Sequence, residues 1–425
     1  MNLYDANGNV IEIQQTQEEV VVAEPLTGDI PRIYFTGNVI NTHTGTEEIV
    51  EILYVSKTLT FKCYAKIKVQ GSSSRAYNKK NYTIKLYKDA ACTTKLKLDF
   101  MGWGKQNKFC LKANWIDITH ARNVVTARLW GDMVASRSDF DTLPEELKTA
   151  PNYGAIDGFP VIVFINGLYW GRYTWNIPKD AWTFNMDDSL DTHCAICGED
   201  YKKTCFQESP VLLDGSDWSD EIHDTCPASI VTSWNNVHNF VINSTDTEFV
   251  ANFENHMNLQ SVIDYYLFTY VNCGIDSLGR NMIFLTYDGT YWINSAYDLD
   301  STWGLGWSGD LTNNPELAMQ SGYQSVINYS EGNKLFVRLE SLCADEIKER
   351  YSELRSDVLS EAHIINRFEE FMESMSKDLI AEDYAETTGE GAFTEIPSQD
   401  TNNIQQLRDF IVKRLAYVDE QIEAL

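Results

Sequence analysis

The chain has 425 residues, 43% of them hydrophobic and 12% aromatic, enough for a sizeable core and for a two-lobed fold without a second independent unit. Its formal charge of −28 opposes the counterion release that drives nucleic-acid binding and offers nothing to an anionic bilayer, so neither nucleic acid nor membrane is an expected partner. Any anionic ligand then needs a locally basic or cation-filled site.

Nine cysteines are scattered along the chain, and Met1-Asn2-Leu3-Tyr4-Asp5 has neither the basic start nor the apolar run of a signal peptide. No apolar stretch approaches the roughly 20 residues needed to cross a bilayer. A cytoplasmic protein with reduced thiols is the expectation. Cys194-Ala-Ile-Cys197, with His193 and Cys205 nearby, hints at metal or redox chemistry but lacks a second pair at zinc-ribbon spacing.

Residues 1–30 are polar and then β-branched, which suits an accessory leader. Strand patterns follow at Ile33-Tyr34-Phe35, 51–55, 61–69 and 82–87, predicting an antiparallel sheet, with a further strand at 109–113. Thr119 is placed to cap a helix running to about Met133, and Asn166-Gly167 between apolar runs predicts a hairpin. The stretch 187–229 is rich in Asp, Gly, Ser and Cys and reads as an irregular insertion. Beyond it come a helix over 259–271, two short strands around Asp288-Gly289, and amphipathic helices over 334–359 and 403–424, with a loop at 387–394. The expected fold is α+β and two-lobed in the manner of a protein kinase. An antiparallel β-rich N-lobe would occupy 31–180 and a mainly helical C-lobe 181–425.

The candidate chemistry follows this order of elements. Asp276-Ser-Leu-Gly-Arg-Asn281 places an Asp and an Asn at the interval found in a kinase catalytic loop, where the Asp takes the proton of an attacking hydroxyl and the Asn reaches a phosphate-bound metal. Asp298-Leu-Asp300 follows a strand, and alternate strand residues share a face, so both carboxylates are expected to project together toward a cation. Gly71-Ser72-Ser73-Ser74-Arg75 offers backbone N–H groups, hydroxyls and charge to phosphate, helped by Lys79 and Lys80. Lys112 stands where a strand lysine belongs, with Lys85 as its rival.

Five stretches resemble the CotH (spore-coat protein H) kinase-like family in their order and combination: 71–75 with 79–86, 111–117 with Arg122-Asn123, 163–173, Asp276 to Asn281, and Tyr297-Asp-Leu-Asp-Ser-Thr-Trp-Gly304. The resemblance spans about Lys66 to Gly304 and fades in the C-terminal helices. It implies an atypical protein-kinase fold that transfers the ATP γ-phosphoryl group to Ser or Thr of a protein substrate with Mg2+ or Mn2+. Asp276 would act as base, Asn281 and Asp298 as metal ligands, and Asp300 in support. Gln70 and Asn176 depart from the family pattern, standing where relatives carry Arg and an acidic residue. Two other functions are compatible with the sequence. One is a structural or attachment protein, as in a virion or spore coat. The other is a carbohydrate binder using Trp170, Trp175, Trp303 and Trp307 as platforms.

Overall fold

The computed structural model describes residues 30–71, 73–77, 79–318, 332–373 and 404–425, with the backbone of residues 3–4, 10–11 and 21–22. They belong to two units. The N-terminal unit takes Met1–Ala121, Asp157–Pro178 and Glu369–Asn402, and the C-terminal unit takes Arg122–Ile156, Lys179–Phe368 and Asn403–Leu425. The fold is α+β, with strands concentrated in the first unit and helices in the second.

The N-terminal unit is built on seven strands: β1 (Arg32–Thr36), β2 (Glu48–Val55), β3 (Thr60–Gln70), β4 (Asn81–Tyr87), β5 (Lys108–Lys112), β6 (Gly158–Ile165) and β7 (Leu168–Asn176). In β3 every second residue from Phe61 to Val69 is buried, the period-2 pattern of a strand with one face in a core. The order β3-β2-β1-β6-β7-β5-β4 closes because β3 also pairs with β4. The sheet expected from sequence is therefore a barrel, which leaves no free edge among these seven strands. It is also not wholly antiparallel. An odd ring of strands cannot alternate in direction all the way round, so one neighbouring pair must be parallel, and that pair is β1 with β6, from Ile162 opposite Arg32 to Ile165 opposite Phe35.

Aromatic rings fill much of the barrel core, with Trp175 5.5 Å from Phe100 and 5.1 Å from Phe109 between ring centroids. The β6–β7 hairpin turns at Asn166 and Gly167, both with positive φ, as the Asn-Gly pair predicts. The Asn166 amide accepts from Gly37 N–H at 2.9 Å and donates to Gly37 C=O at 3.0 Å, continuing the parallel pairing beyond the ladder.

In the C-terminal unit, helices α1 (Arg122–Ala135), α2 (Ala228–Asn243) and α3 (Leu259–Asn272) accompany a four-stranded antiparallel sheet. Its strands, in the order β9-β8-β10-β11, are β8 (Cys194–Gly198), β9 (Trp218–Asp220), β10 (Met282–Thr286) and β11 (Ile293–Ala296). The 187–229 stretch, expected to be irregular, thus supplies two strands of the central sheet, and every residue of β8 is buried. From Ser261 to Asn272 α3 is buried on all sides, the mark of a central helix. Four further helices follow: α4 (Lys334–Leu342), α5 (Ala344–Ser356), α6 (Glu361–Glu373) and α7 (Ile404–Glu423). The helix expected over 334–359 is thereby broken at Cys343, and the 387–394 loop lies outside the described residues. Helix α1 begins at Arg122, where Thr119 Oγ1 accepts from Ala121 N–H at 3.2 Å.

Candidate active site

Strand register decides which of the N-terminal candidates belong together. Gln70, the last residue of β3, pairs with Asn81, the first of β4, and the Gly71 to Lys80 connection leaves from that end. Gly71 has a φ of +105°, a conformation that favours glycine, and an added Cβ would overlap Ser74 Oγ. Ser73–Ala76 forms a 3-10 turn with Arg75 exposed, while Ser72 lies outside the described residues.

The β4–β5 ladder pairs Tyr82 with Leu111, so Lys112 reaches the Asn81 end, where Ala113 N–H donates to Asn81 Oδ1 at 2.7 Å. Lys85 instead pairs with Lys108, four residues back along β5, roughly 13 Å from Lys112 at strand rise. The glycine-serine turn and Lys112 are brought to one edge of the barrel, and Lys85 is not. The two nearby lysines hold the turn itself. Lys80 Nζ donates to Arg75 C=O at 2.7 Å, and buried Lys79 donates to Arg172 C=O with its ammonium 4.6 Å from the Tyr173 ring centroid. The departures noted in sequence also find their places. Gln70 Oε1 accepts from Thr83 Oγ1 at 2.9 Å, and Asn176 is buried with neither amide atom hydrogen-bonded among the described residues.

In the C-terminal unit α3 ends at Cys273, whose φ of +58° turns the chain into the 3-10 segment Asp276–Leu278. This loop is held from several sides. Tyr201 Oη donates to Asp276 Oδ1 at 2.6 Å, Tyr265 Oη to Ser277 C=O at 3.0 Å, and Asn333 Nδ2 to Leu278 C=O at 2.9 Å. Arg280 Nε donates to Glu199 C=O at 2.9 Å, and Asn281 N–H to Gly198 C=O at 3.2 Å. Burial and the Asp276 carboxylate push the Tyr201 hydroxyl's pKa up, keeping it a donor to that carboxylate. Gly198 and Gly279 are glycines for a steric reason: a Cβ on Gly198 would overlap the Gly279 carbonyl oxygen, and one on Gly279 would lie 2.8 Å from the Tyr201 ring.

Asn281 precedes β10 and Asp298 follows β11. Met282 pairs with Ala296, so the ladder carries Asn281 and Asp298 to the same end of this hairpin. Both have left-handed backbones, with φ of 56° and 55°. Asn and Asp take up this geometry more readily than other non-glycine residues, and contacts around them hold it here. The surroundings here are explicit. Leu299 N–H donates to Asn123 Oδ1 at 3.0 Å, Arg122 Nε to Thr302 C=O at 3.1 Å, and Trp303 N–H to Asn272 C=O at 2.7 Å. The last residue of α3 therefore braces the Asp298 turn while the next residues enter the Asp276 loop.

The shared-face argument for Asp298 and Asp300 fails, because the strand ends at Ala296 and Asp298 is not extended. Among the described residues, the carboxylates of Asp276, Asp298 and Asp300 do not form a trio within 4.8 Å. The Cys194 and Cys197 pair does not chelate either. Three residues apart on a strand they face opposite sides, His193 Nδ1 accepts from Asp187 N–H at 3.0 Å, and Cys205 Sγ contacts Leu278 C=O at 3.6 Å. Trp175 and Trp303 are core residues at 2% and 1% exposure, which removes two of the four platforms a carbohydrate binder would use.

Sequence reasoning missed Tyr201, Gly198 and Asn272. Asn272 is buried beside the Asp276 loop, and among the described residues neither of its amide atoms is hydrogen-bonded. The signal for Tyr201 and Gly198 lay inside the stretch set aside as an insertion. Among the described residues no helix is long and apolar enough to cross a membrane. No curated protein matches the chain in sequence. A family model described as CotH kinase protein matches residues 67–418, extending through the C-terminal helices, and the chain belongs to that family.

Proposed function

We propose that the chain is a metal-dependent protein kinase with two kinase-like lobes, transferring the γ-phosphoryl group of ATP to a Ser or Thr hydroxyl of a protein substrate. The observation that carries this reading is the shared bracing of two loops in the C-terminal unit. The Asp276 loop and the Asp298 turn meet through Asn272 and Trp303, and the β10–β11 ladder carries Asn281 and Asp298 to the same end of that hairpin. The donor set fits a hard divalent cation, because Asn281 and Asp298 offer oxygen atoms only, which suits Mg2+ or Mn2+. When bound, that cation offsets the negative charge spread over the transferred group.

The chain's own residues do the rest. Asp276, oriented by Tyr201, accepts the proton of the substrate hydroxyl as it attacks. In the N-terminal unit the backbone N–H groups after Gly71, with Arg75 and Lys112, bind the nucleotide phosphates and bring local positive charge to an acidic protein. Asp300 supports the Asp298 turn.

The test is incorporation of labelled γ-phosphate with Mg2+ or Mn2+, alongside calorimetry of nucleotide binding. Removing the base in Asp276→Asn should lower transfer about 10²–10⁴-fold while leaving nucleotide affinity near native. Asp298→Ala should abolish metal-dependent transfer. A native protein that neither binds nucleotide nor transfers phosphate would sink the proposal in favour of a non-catalytic scaffold.

A further inference from the structure

Cys194, at the start of β8, finds its partners in the loop that leaves β9. The ladder pairs Ile196 with Asp220, and Glu221 N–H donates to Ala195 C=O at 2.9 Å, so the 221–227 loop begins alongside Cys194. It returns with Cys226, and the Sγ atoms of Cys194 and Cys226 and a carboxylate oxygen of Asp220 all lie within 4.8 Å of one another. Tetrahedral ligands around zinc, at about 2.0–2.3 Å from the metal, stand roughly 3–4 Å apart, so this cluster needs only a small contraction to close on an ion.

Two observations separate the cluster from a chance gathering. The first is its support. His223 Nδ1 lies 2.9 Å from Asp220 Oδ2, and Asp220 Oδ1 accepts from Ile222 N–H at 2.8 Å and His223 N–H at 3.1 Å. The His223 side chain is 10% exposed, and among the described residues its Nε2 has no hydrogen-bond partner. A carboxylate oriented by histidine and backbone donors is the outer support that metal-bound carboxylates have.

The second is contrast with a neighbouring group on the other face of β8. There Cys197, Glu199 and Glu221 also lie within 4.8 Å of one another, but Lys179 Nζ sits 2.7 Å from Glu221. Burial opposes charge on that lysine, yet Cys197, Tyr297 and Glu221 outweigh it and raise its pKa, so this group already holds its cation. Among the described residues no lysine or arginine pairs with Asp220 in the Cys194 group, where its partner is His223.

We infer that Cys194, Asp220 and Cys226 form a zinc(II) site that fastens the 221–227 loop to β8. Two thiolates and a carboxylate are a borderline-soft donor set that selects Zn2+ over the hard cation proposed for phosphoryl transfer. Binding releases the two thiol protons to solvent.

The experiment uses the full chain, reduced and stripped of metal, titrated with Zn2+ by calorimetry and with Co2+ by absorbance. A single tight equivalent, a thiolate-to-cobalt charge-transfer band and a melting temperature that rises with Zn2+ are expected. All three should be lost in Cys226→Ser, whose loop position spares the core, and kept in Cys92→Ser. His223→Ala should weaken binding about 10–100-fold. Absence of stoichiometric binding by the reduced native chain would overturn the inference, as would binding unchanged in Cys226→Ser. So would native protein, purified without reductant, that is two hydrogens lighter and yields a 194–226 linked peptide.

Discussion

Asp264 lies at the middle of α3 with its side chain fully buried, and two guanidiniums converge on it. Arg137 Nε donates to Oδ2 at 2.7 Å, while Arg350 donates from Nε to Oδ1 at 2.7 Å and from Nη2 to Oδ2 at 3.3 Å. The Arg137 side chain is 0% exposed and that of Arg350 5%. Asp264→Asn keeps the shape and removes the charge. Arg350 would retain Glu353 at 3.0 Å and the Met133 and Ser136 carbonyls. Arg137 would lose its counter-charge and keep the Trp130 ring, 5.3 Å away, and at most one hydrogen bond to the new amide oxygen, because among the described residues its two Nη atoms have no hydrogen-bond partners. Breaking a buried ion pair from one side costs about 3–5 kcal/mol, since the stranded charge stays out of water. For a unit of this size that corresponds to a melting temperature lower by roughly 10 °C. Urea unfolding followed by circular dichroism measures it. The stranded charge can be tested directly, because Arg137→Met added to Asp264→Asn should recover part of the loss. A loss under about 1 kcal/mol for Asp264→Asn, or no recovery in the double variant, would refute the reasoning.

Buried His238, stacked 4.4 Å from Phe206, is held neutral by burial and by Lys203, which lower its pKa from 6.5 to about 3. The unfolded chain alone takes up that proton below pH 6.5, so stability is full above this pH and falls by about 1.4 kcal/mol per unit toward pH 3. Urea midpoints between pH 7 and 4.5 should show this slope flattened in His238→Gln, and an unchanged slope would count against it. Gly198→Ala drives a methyl into the Gly279 carbonyl and should cost about 1–3 kcal/mol of stability and reduce phosphate transfer, with nucleotide affinity near native by calorimetry. If Lys112 binds phosphate, Lys112→Ala should weaken ATP binding at least tenfold by calorimetry and Lys85→Ala less than threefold, a difference of about 1.4 kcal/mol or more against 0.7 or less. The reverse order would transfer the role to Lys85.

Much of the secondary structure was legible because it rests on local rules. The alternation in 60–70, the Asn166-Gly167 turn and the continuous apolar run of α3 each report a periodicity or a backbone preference that neighbouring residues share. The Asp276 to Asn281 interval was legible for the same reason, since both residues belong to one short loop. Barrel closure was not, because the parallel β1–β6 pair joins residues about 130 positions apart in sequence, and no local pattern encodes such a partner.

The same limit explains the 187–229 stretch. Its turn-rich composition is real, but β8 is held by β10, and Tyr201 is turned to Asp276 by a bond spanning 75 residues. Cysteine spacing misled in an instructive way. Cys194 and Cys197 are close in sequence yet on opposite faces of one strand, while Cys194 and Cys226 are distant in sequence and adjacent in space. Sequence alone determined the residue types, the local elements and the loop that carries Asp276 and Asn281. Tertiary structure decided which strand end each lysine reaches, which carboxylates share a brace and which thiols meet, because those depend on long-range register and packing.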